Sequence, residues 1–188
     1  MSLKTNRYLP LLFAVLSLSV LTYSNQPESS PGEIMAQMAE LGKELATPDE
    51  NHLFLAQLAG EWTTSSTMMG MEPTSGSALY EMILGGRFLD GIQEGVVMGI
   101  PFQGRLTFGY DTYKHKFVAS FIDDLGTSLR YAEGTLDKSG AVLSLWGQMD
   151  EWMTDEHDKM VLYRIQIQST NSFKFEIHDL ALGDESKV

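Results

Sequence analysis

From Gly85 to Asp123 the chain reads GGRFLDGIQEGVVMGIPFQGRLTFGYDTYKHKFVASFID, a succession of short β-forming runs broken by turn-formers. Its second half reads as a hairpin: Gly104 to Tyr110 is one run of β-formers, Asp111 to Lys116 a polar turn, and Phe117 to Asp123 a second run. This pattern leaves few options. Strands joined by links too short for a crossover helix must pair antiparallel with their neighbours in sequence.

The same grammar continues to the C-terminus. Candidate strands fall near 61–69, 76–84, 86–95, 102–110, 116–123, 128–137, 141–149, 160–169 and 172–180, with another beginning near Glu185. Between them stand Gly70, Glu72-Pro73, Gly85-Gly86, Gly99-Ile100-Pro101, Asp111-Thr112, Asp124 to Gly126, Asp137 to Gly140, the acidic stretch Asp150 to Asp158, and Ser169 to Asn171. The expected fold is all-β: an antiparallel up-and-down β-barrel of about nine or ten strands, since twisted sheets of that size tend to close. Alternation supports it. Phe173, Phe175 and Ile177 oppose Lys174, Glu176 and His178, and Tyr163, Ile165 and Ile167 oppose Arg164, Gln166 and Gln168, so each of these strands has one dry face. The 117–123 run carries Phe117, Ala119 and Phe121 on one side and Val118 and Ile122 on the other, which predicts cover on both sides. Gly91, Gly95 and Gly109 fall inside strands, where bends or bulges are expected.

Upstream the pattern changes. Lys4 and Arg7 precede an almost wholly apolar run from Tyr8 to Tyr23, and Thr22-Tyr23-Ser24 offers small residues for a cut after Ser24, so residues 1–24 read as a secretory signal peptide and the protein as exported, periplasmic or secreted. That run is shorter than the roughly 20 residues of a spanning helix and contains Pro10; no stable membrane span is expected after cleavage, an uncleaved anchor being the alternative. Residues 25–32, NQPESSPG, are a linker. Residues 33–57 form a helical cap: Ile34, Met38, Leu41 and Leu45 share a helical face, Thr47-Pro48 ends that helix, and Leu53, Phe54 and Leu58 mark a second. The cap either packs over one end of the sheet or forms a lid on a ligand cavity. Residues 58–188 form the barrel domain.

The elements Leu58-Ala59-Gly60-Glu61-Trp62, Leu84-Gly85-Gly86-Arg87-Phe88-Leu89, Gly99-Ile100-Pro101-Phe102-Gln103-Gly104, Gly109-Tyr110-Asp111 with Lys116-Phe117-Val118, and Ile122-Asp123 resemble the bacterial family of domain of unknown function 1579 from about Leu53 onward. That family is similar to the calycin-like barrels, the lipocalins and fatty-acid-binding proteins, and Gly60-Glu61-Trp62 resembles the lipocalin Gly-x-Trp of the first strand. The resemblance implies a fold and no activity. Family members continue past Gly183-Asp184-Glu185-Ser186-Lys187 through a full last strand, whereas this sequence stops at Val188; a missing closing strand would expose two sheet edges and favour a homodimer through them.

The chemistry of the side chains excludes several classes. A formal charge of −12 and a pI near 4.6 argue against nucleic-acid binding, and the absence of cysteine excludes disulfides, thiolate nucleophiles and cysteine-held metals. His52, His115, His157 and His178 have no metal-binding spacing; the first three read as solvated, and His178 as outward-facing, which disfavours haem. Met68, Met69 and Met71 read as strand-end packing rather than a copper site, and the acidic stretch lacks the glycine of a calcium loop. No cofactor is expected. Asp111 reads as an Asx cap of its hairpin. Arg87 and Asp123, inside apolar strands, need partners or a wet cavity, Trp62 being one candidate for Arg87.

The leading expectation is therefore non-catalytic binding of a small, mostly apolar molecule inside the barrel. Candidate lining residues are Trp62, Phe88, Phe108, Tyr110, Phe121, Tyr131 and Trp146, with Arg87, Asp123 and Arg130 as polar groups. The alternatives are a small-molecule enzyme using Asp123 or Asp111 as acid or base, and an interaction module with a filled barrel.

Overall fold

The computed structural model describes residues 29–179 apart from residues 69, 152 and 153. The expected signal peptide, the start of the linker, the strand near Glu185 and Met69 lie outside the described residues. The chain divides into two units at Lys43/Glu44, each described by itself.

Helix α1 (Pro31–Leu45), all but its last two residues in the first unit, starts two residues before the expected start of the cap at residue 33. A capping box sets that start: Glu33 N–H donates to Ser30 Oγ at 3.3 Å, and Ser30 N–H donates back to Glu33 Oε2 at 2.8 Å, with Pro31 in the first turn.

The second unit is one antiparallel sheet of nine strands in sequence order, curled into a half-barrel. The strands are β1 (Gly60–Ser66), β2 (Thr74–Ile83), β3 (Phe88–Val97), β4 (Ile100–Asp111), β5 (Lys116–Asp123), β6 (Arg130–Leu136), β7 (Val142–Glu151), β8 (Glu156–Ser169) and β9 (Ser172–Asp179). Among the described residues β1 pairs only with β2 and β9 only with β8, so the sheet curls without closing. The acidic stretch expected as a loop is mostly ladder: β7 runs to Glu151, β8 begins at Glu156, and Asp150 Oδ1 accepts the Asp158 N–H at 3.1 Å, giving that backbone donor a partner.

The register assigns the faces. Across the sheet the inner face carries Trp62, Tyr80, Leu89, Phe108, Phe117, Leu145, Val161 and Phe173, and most of these are buried. Helix α2 (Glu50–Ala56) closes one end of this face with buried Phe54 and Leu55, followed by buried Leu58; each such side chain contributes about 1.5–3 kcal/mol. Phe54 meets Phe117 edge-on at 5.7 Å, and Trp62 donates its indole N–H to Leu58 O at 2.9 Å.

Three sequence expectations need correction. Strand β5 is dry on one face only: Phe117 and Ala119 are buried, while Ile122 on the other side is 48% exposed. Gly91 and Gly109 mark no bulge, because the β3–β4 register is continuous; a Cβ at Gly91 would sit 2.0 Å from the Tyr80 ring and one at Gly109 2.7 Å from the Phe88 ring, so each glycine seats an aromatic from the next strand. His52 is buried rather than solvated. It is the third residue of α2, its Nδ1 accepts the Asp49 N–H at 2.9 Å in a second capping box, and its ring meets Tyr110 edge-on at 5.8 Å.

Candidate functional site

The expected site residues separate into three places. Trp62, Phe108, Tyr110, Phe121, Asp123 and Arg130 share the inner face. Phe88, Tyr131 and Trp146 are on the outer face, because their neighbours Leu89, Ala132 and Leu145 take the inner positions; Tyr131 and Trp146 are exposed there and line no interior. Arg87 lies in the β2–β3 turn, not in a strand. It donates to Ala46 O at 2.6 Å and to Leu84 O at 2.8 Å, so it ties the segment before α2 to this hairpin and is not aimed at the inner face.

The aromatic end of the inner face is packed. Tyr110 meets Phe117 at 4.9 Å, Trp62 meets Phe173 at 4.7 Å, and Phe108 is buried between strands, so these residues act as core near α2. Tyr80 accepts a short hydrogen bond from Gln93, and burial raises its phenol pKa against the effect of that bond.

Toward the opposite end the inner face changes character. Ala119, Ala132 and Gly147 lie side by side across β5, β6 and β7, a row of small residues. On one side of that row the register places Phe121, Arg130, Met149 and Lys159; on the other it places Phe117, Gly134, Leu145, Tyr163 and Ile177. Arg130 Nη1 donates to Asp123 Oδ2 at 2.9 Å, and the guanidinium stands 5.4 Å from the Phe121 ring centre. Asp123 has only 8% of its side chain exposed, and its Oδ1 accepts the Leu125 N–H at 3.1 Å. Lys159, likewise well covered, holds Asp179 Oδ2 at 2.7 Å and Glu156 Oε2 at 3.2 Å, and these carboxylates, Asp179 first, raise its pKa.

Tyr163 stands out in this setting. Its hydroxyl oxygen is buried and has no hydrogen-bond partner among the described residues, and the same holds for Asp179 Oδ1. Burial pushes the Tyr163 phenol up, and the charge of Arg130 pulls it partly back. The ring stacks on Phe175 at 6.2 Å. Phe175 and Ile177 keep 50% and 53% of their surface exposed although they belong to the inner face, because no strand lies beyond β9 among the described residues. A buried hydroxyl without a partner is costly, by about 1–3 kcal/mol, and native proteins rarely tolerate one without a role. The sequence contained the apolar alternation of Tyr163 but not the missing partner of its hydroxyl, which only the folded sheet determines.

Asp111, the second carboxylate considered as an acid or base, accepts N–H bonds from Tyr113 at 3.0 Å and Lys114 at 2.9 Å, which is the expected Asx cap. Two open clefts lie apart from Tyr163. One, of about 430 Å³, runs from Ala59 to Thr63 and faces Thr170 and Asn171 in the β8–β9 turn; the other, of about 380 Å³, is bounded by Glu94, Gly95, Pro101 to Gln103, and Asp124. Among the described residues no cluster of histidine and carboxylate side chains could hold a metal, and no helix is long and apolar enough to cross a membrane.

A family model described as that of a protein of unknown function (DUF1579) matches residues 47–188. No curated protein matches the chain.

Proposed function

The chain belongs to the DUF1579 family, and on that footing we propose that its half-barrel reversibly binds a small, mostly apolar molecule along the inner face of β6–β9, without catalysis. One observation carries the reading: the buried, unpartnered Tyr163 hydroxyl sits beside half-exposed Phe175 and Ile177. Together they supply an apolar strip and one polar group to orient a guest, the usual make-up of a small-molecule site. Against the enzymatic alternative, Asp123 is tied to Arg130 and to a backbone N–H, and Asp111 is spent on its turn. Both carboxylates have structural partners.

The test is titration of the protein with the neutral fluorescent probe N-phenyl-1-naphthylamine. Saturable binding that is weakened by Ile177→Asp supports the reading. Fluorescence that does not change, or changes equally in the variant, sinks it.

A second reading, an interaction module, is favoured by the outer face. There Leu79 pairs with Ile92, Arg105 follows, and Ile122 is next, with all three apolar residues more than 40% exposed. The edges of β1 and β9, unpaired among the described residues, likewise support self-association, which light scattering after size exclusion would show as a dimer. We further place the protein in an exported compartment on the strength of Lys4, Arg7 and the apolar run that follows. Amino-terminal sequencing of the mature protein tests that, with Asn25 as the expected first residue.

A further inference from the structure

Resting on the binding reading above, we infer that the guest is an uncharged lipid alcohol, its hydroxyl held at Tyr163 and Asp179. Tyr163 has an O–H to give and no acceptor among the described residues; Asp179 Oδ1 has lone pairs to offer and no donor. The register sets Tyr163 opposite Ile177 and Asp179 opposite Val161, so the two orphaned groups are diagonal neighbours on the inner face of β8 and β9. A ligand hydroxyl both accepts and donates, and so answers both.

The charges around the site select against an acid. Arg130 is neutralised by Asp123. Lys159 is shared between Asp179 and Glu156. Among the described residues two inner-face cations thus meet three carboxylates, while His178 stands on the outer face beside Glu176, and a carboxylate or phosphate head would enter a site of net negative charge whose two cations are both claimed. The apolar body of such an alcohol has its own contact surface: Ile177 lies between the two polar groups, Phe175 continues the strip toward α2, and Met149 lies opposite Lys159 across the β7–β8 pair.

The experiment compares 1-decanol with decanoate by isothermal titration calorimetry at pH 7 on the full chain, alongside the N-phenyl-1-naphthylamine titration. Decanol is expected to bind at least tenfold more tightly than decanoate. Tyr163→Phe, which removes only the hydroxyl, should weaken decanol about tenfold, and Asp179→Asn should weaken decanol while strengthening decanoate. Decanoate binding as tightly as decanol in the unmodified protein overturns the inference, a comparison that does not depend on any variant folding. So does decanol affinity that ignores both substitutions. If the probe binds and decanol fails to displace it, the alcohol inference falls and the binding reading stands. If neither decanol, decanoate nor the probe binds, the binding reading itself has failed, and the inference with it.

Discussion

Asp123 and Arg130 form a hydrogen-bonded ion pair, 2.9 Å from Oδ2 to Nη1, diagonally placed on the inner face where β5 and β6 meet their connecting loop. The carboxylate is almost fully covered while the guanidinium stays 30% exposed, so the pair is unequal: the acid depends on the base. Removing the base strands a buried charge. Arg130→Met should cost about 2–3 kcal/mol in a urea melt, below the roughly 3–5 kcal/mol of a fully buried pair because Arg130 is partly solvated. Adding Asp123→Asn should recover about 1 kcal/mol or more of that loss. Full additivity of the two substitutions would show that the pair is not coupled.

Gly134 faces the backbone of β7 so closely that a Cβ would lie 1.8 Å from Ser144 O and 2.8 Å from Leu145 Cα. Neither contact is with a flexible side chain. Gly134→Ala is therefore expected to destabilise the domain by at least about 2 kcal/mol, read as a fall in thermal midpoint. The same substitution at Gly126, where nothing lies within 4 Å, should change little.

His52 caps α2 and packs on Tyr110. His52→Ala should cost about 1–2 kcal/mol, and His52→Gln less, since glutamine at the third helical position also completes a capping box. Equal losses for the two variants would assign the whole effect to the ring contact.

On the outer face of β9, Lys174 first and then Arg164 hold the Glu176 carboxyl down to about 2 against the effect of burial, with His178 adding a smaller contribution. A carboxyl lowered in the folded state favours folding fully above its ordinary value of 4.5, and that contribution is lost as pH falls through about 2. In urea melts from pH 6 to pH 2, the advantage of the unmodified protein over Glu176→Gln should be constant down to about pH 4.5, then shrink and vanish near pH 2. An advantage independent of pH would mean the effect is not the ionised carboxylate's.

The nine strands were legible because alternation and turn residues are local signals: the two β-forming runs around Asp111 to Lys116 became β4 and β5 with that turn between them. The faces were harder. Tyr131 and Trp146 look like lining residues until the register gives the inner positions to Ala132 and Leu145, and register is a property of pairs of strands. His52 was misread because its histidine at the third helical position is a weak capping signal, and its burial depends on Tyr110, far along the chain. Arg87 was read into a strand because the Gly85-Gly86 turn reaches one residue further than the composition suggests, with Arg87 N–H donating to Ile83 O at 3.2 Å. The roles proposed for Tyr163 and Asp179 rest on a hydroxyl and an Oδ1 that have no partner among the described residues of the folded sheet. No local pattern encodes that.

The most direct test of the central claim is native mass spectrometry of the protein isolated without denaturation from the cells that make it, beside the Tyr163→Phe variant. The unmodified protein should carry a stoichiometric small molecule, extractable on unfolding, and the variant a reduced share of it. An unmodified protein that carries no guest and takes up none from a mixture of decanol, decanoate and N-phenyl-1-naphthylamine would contradict that claim.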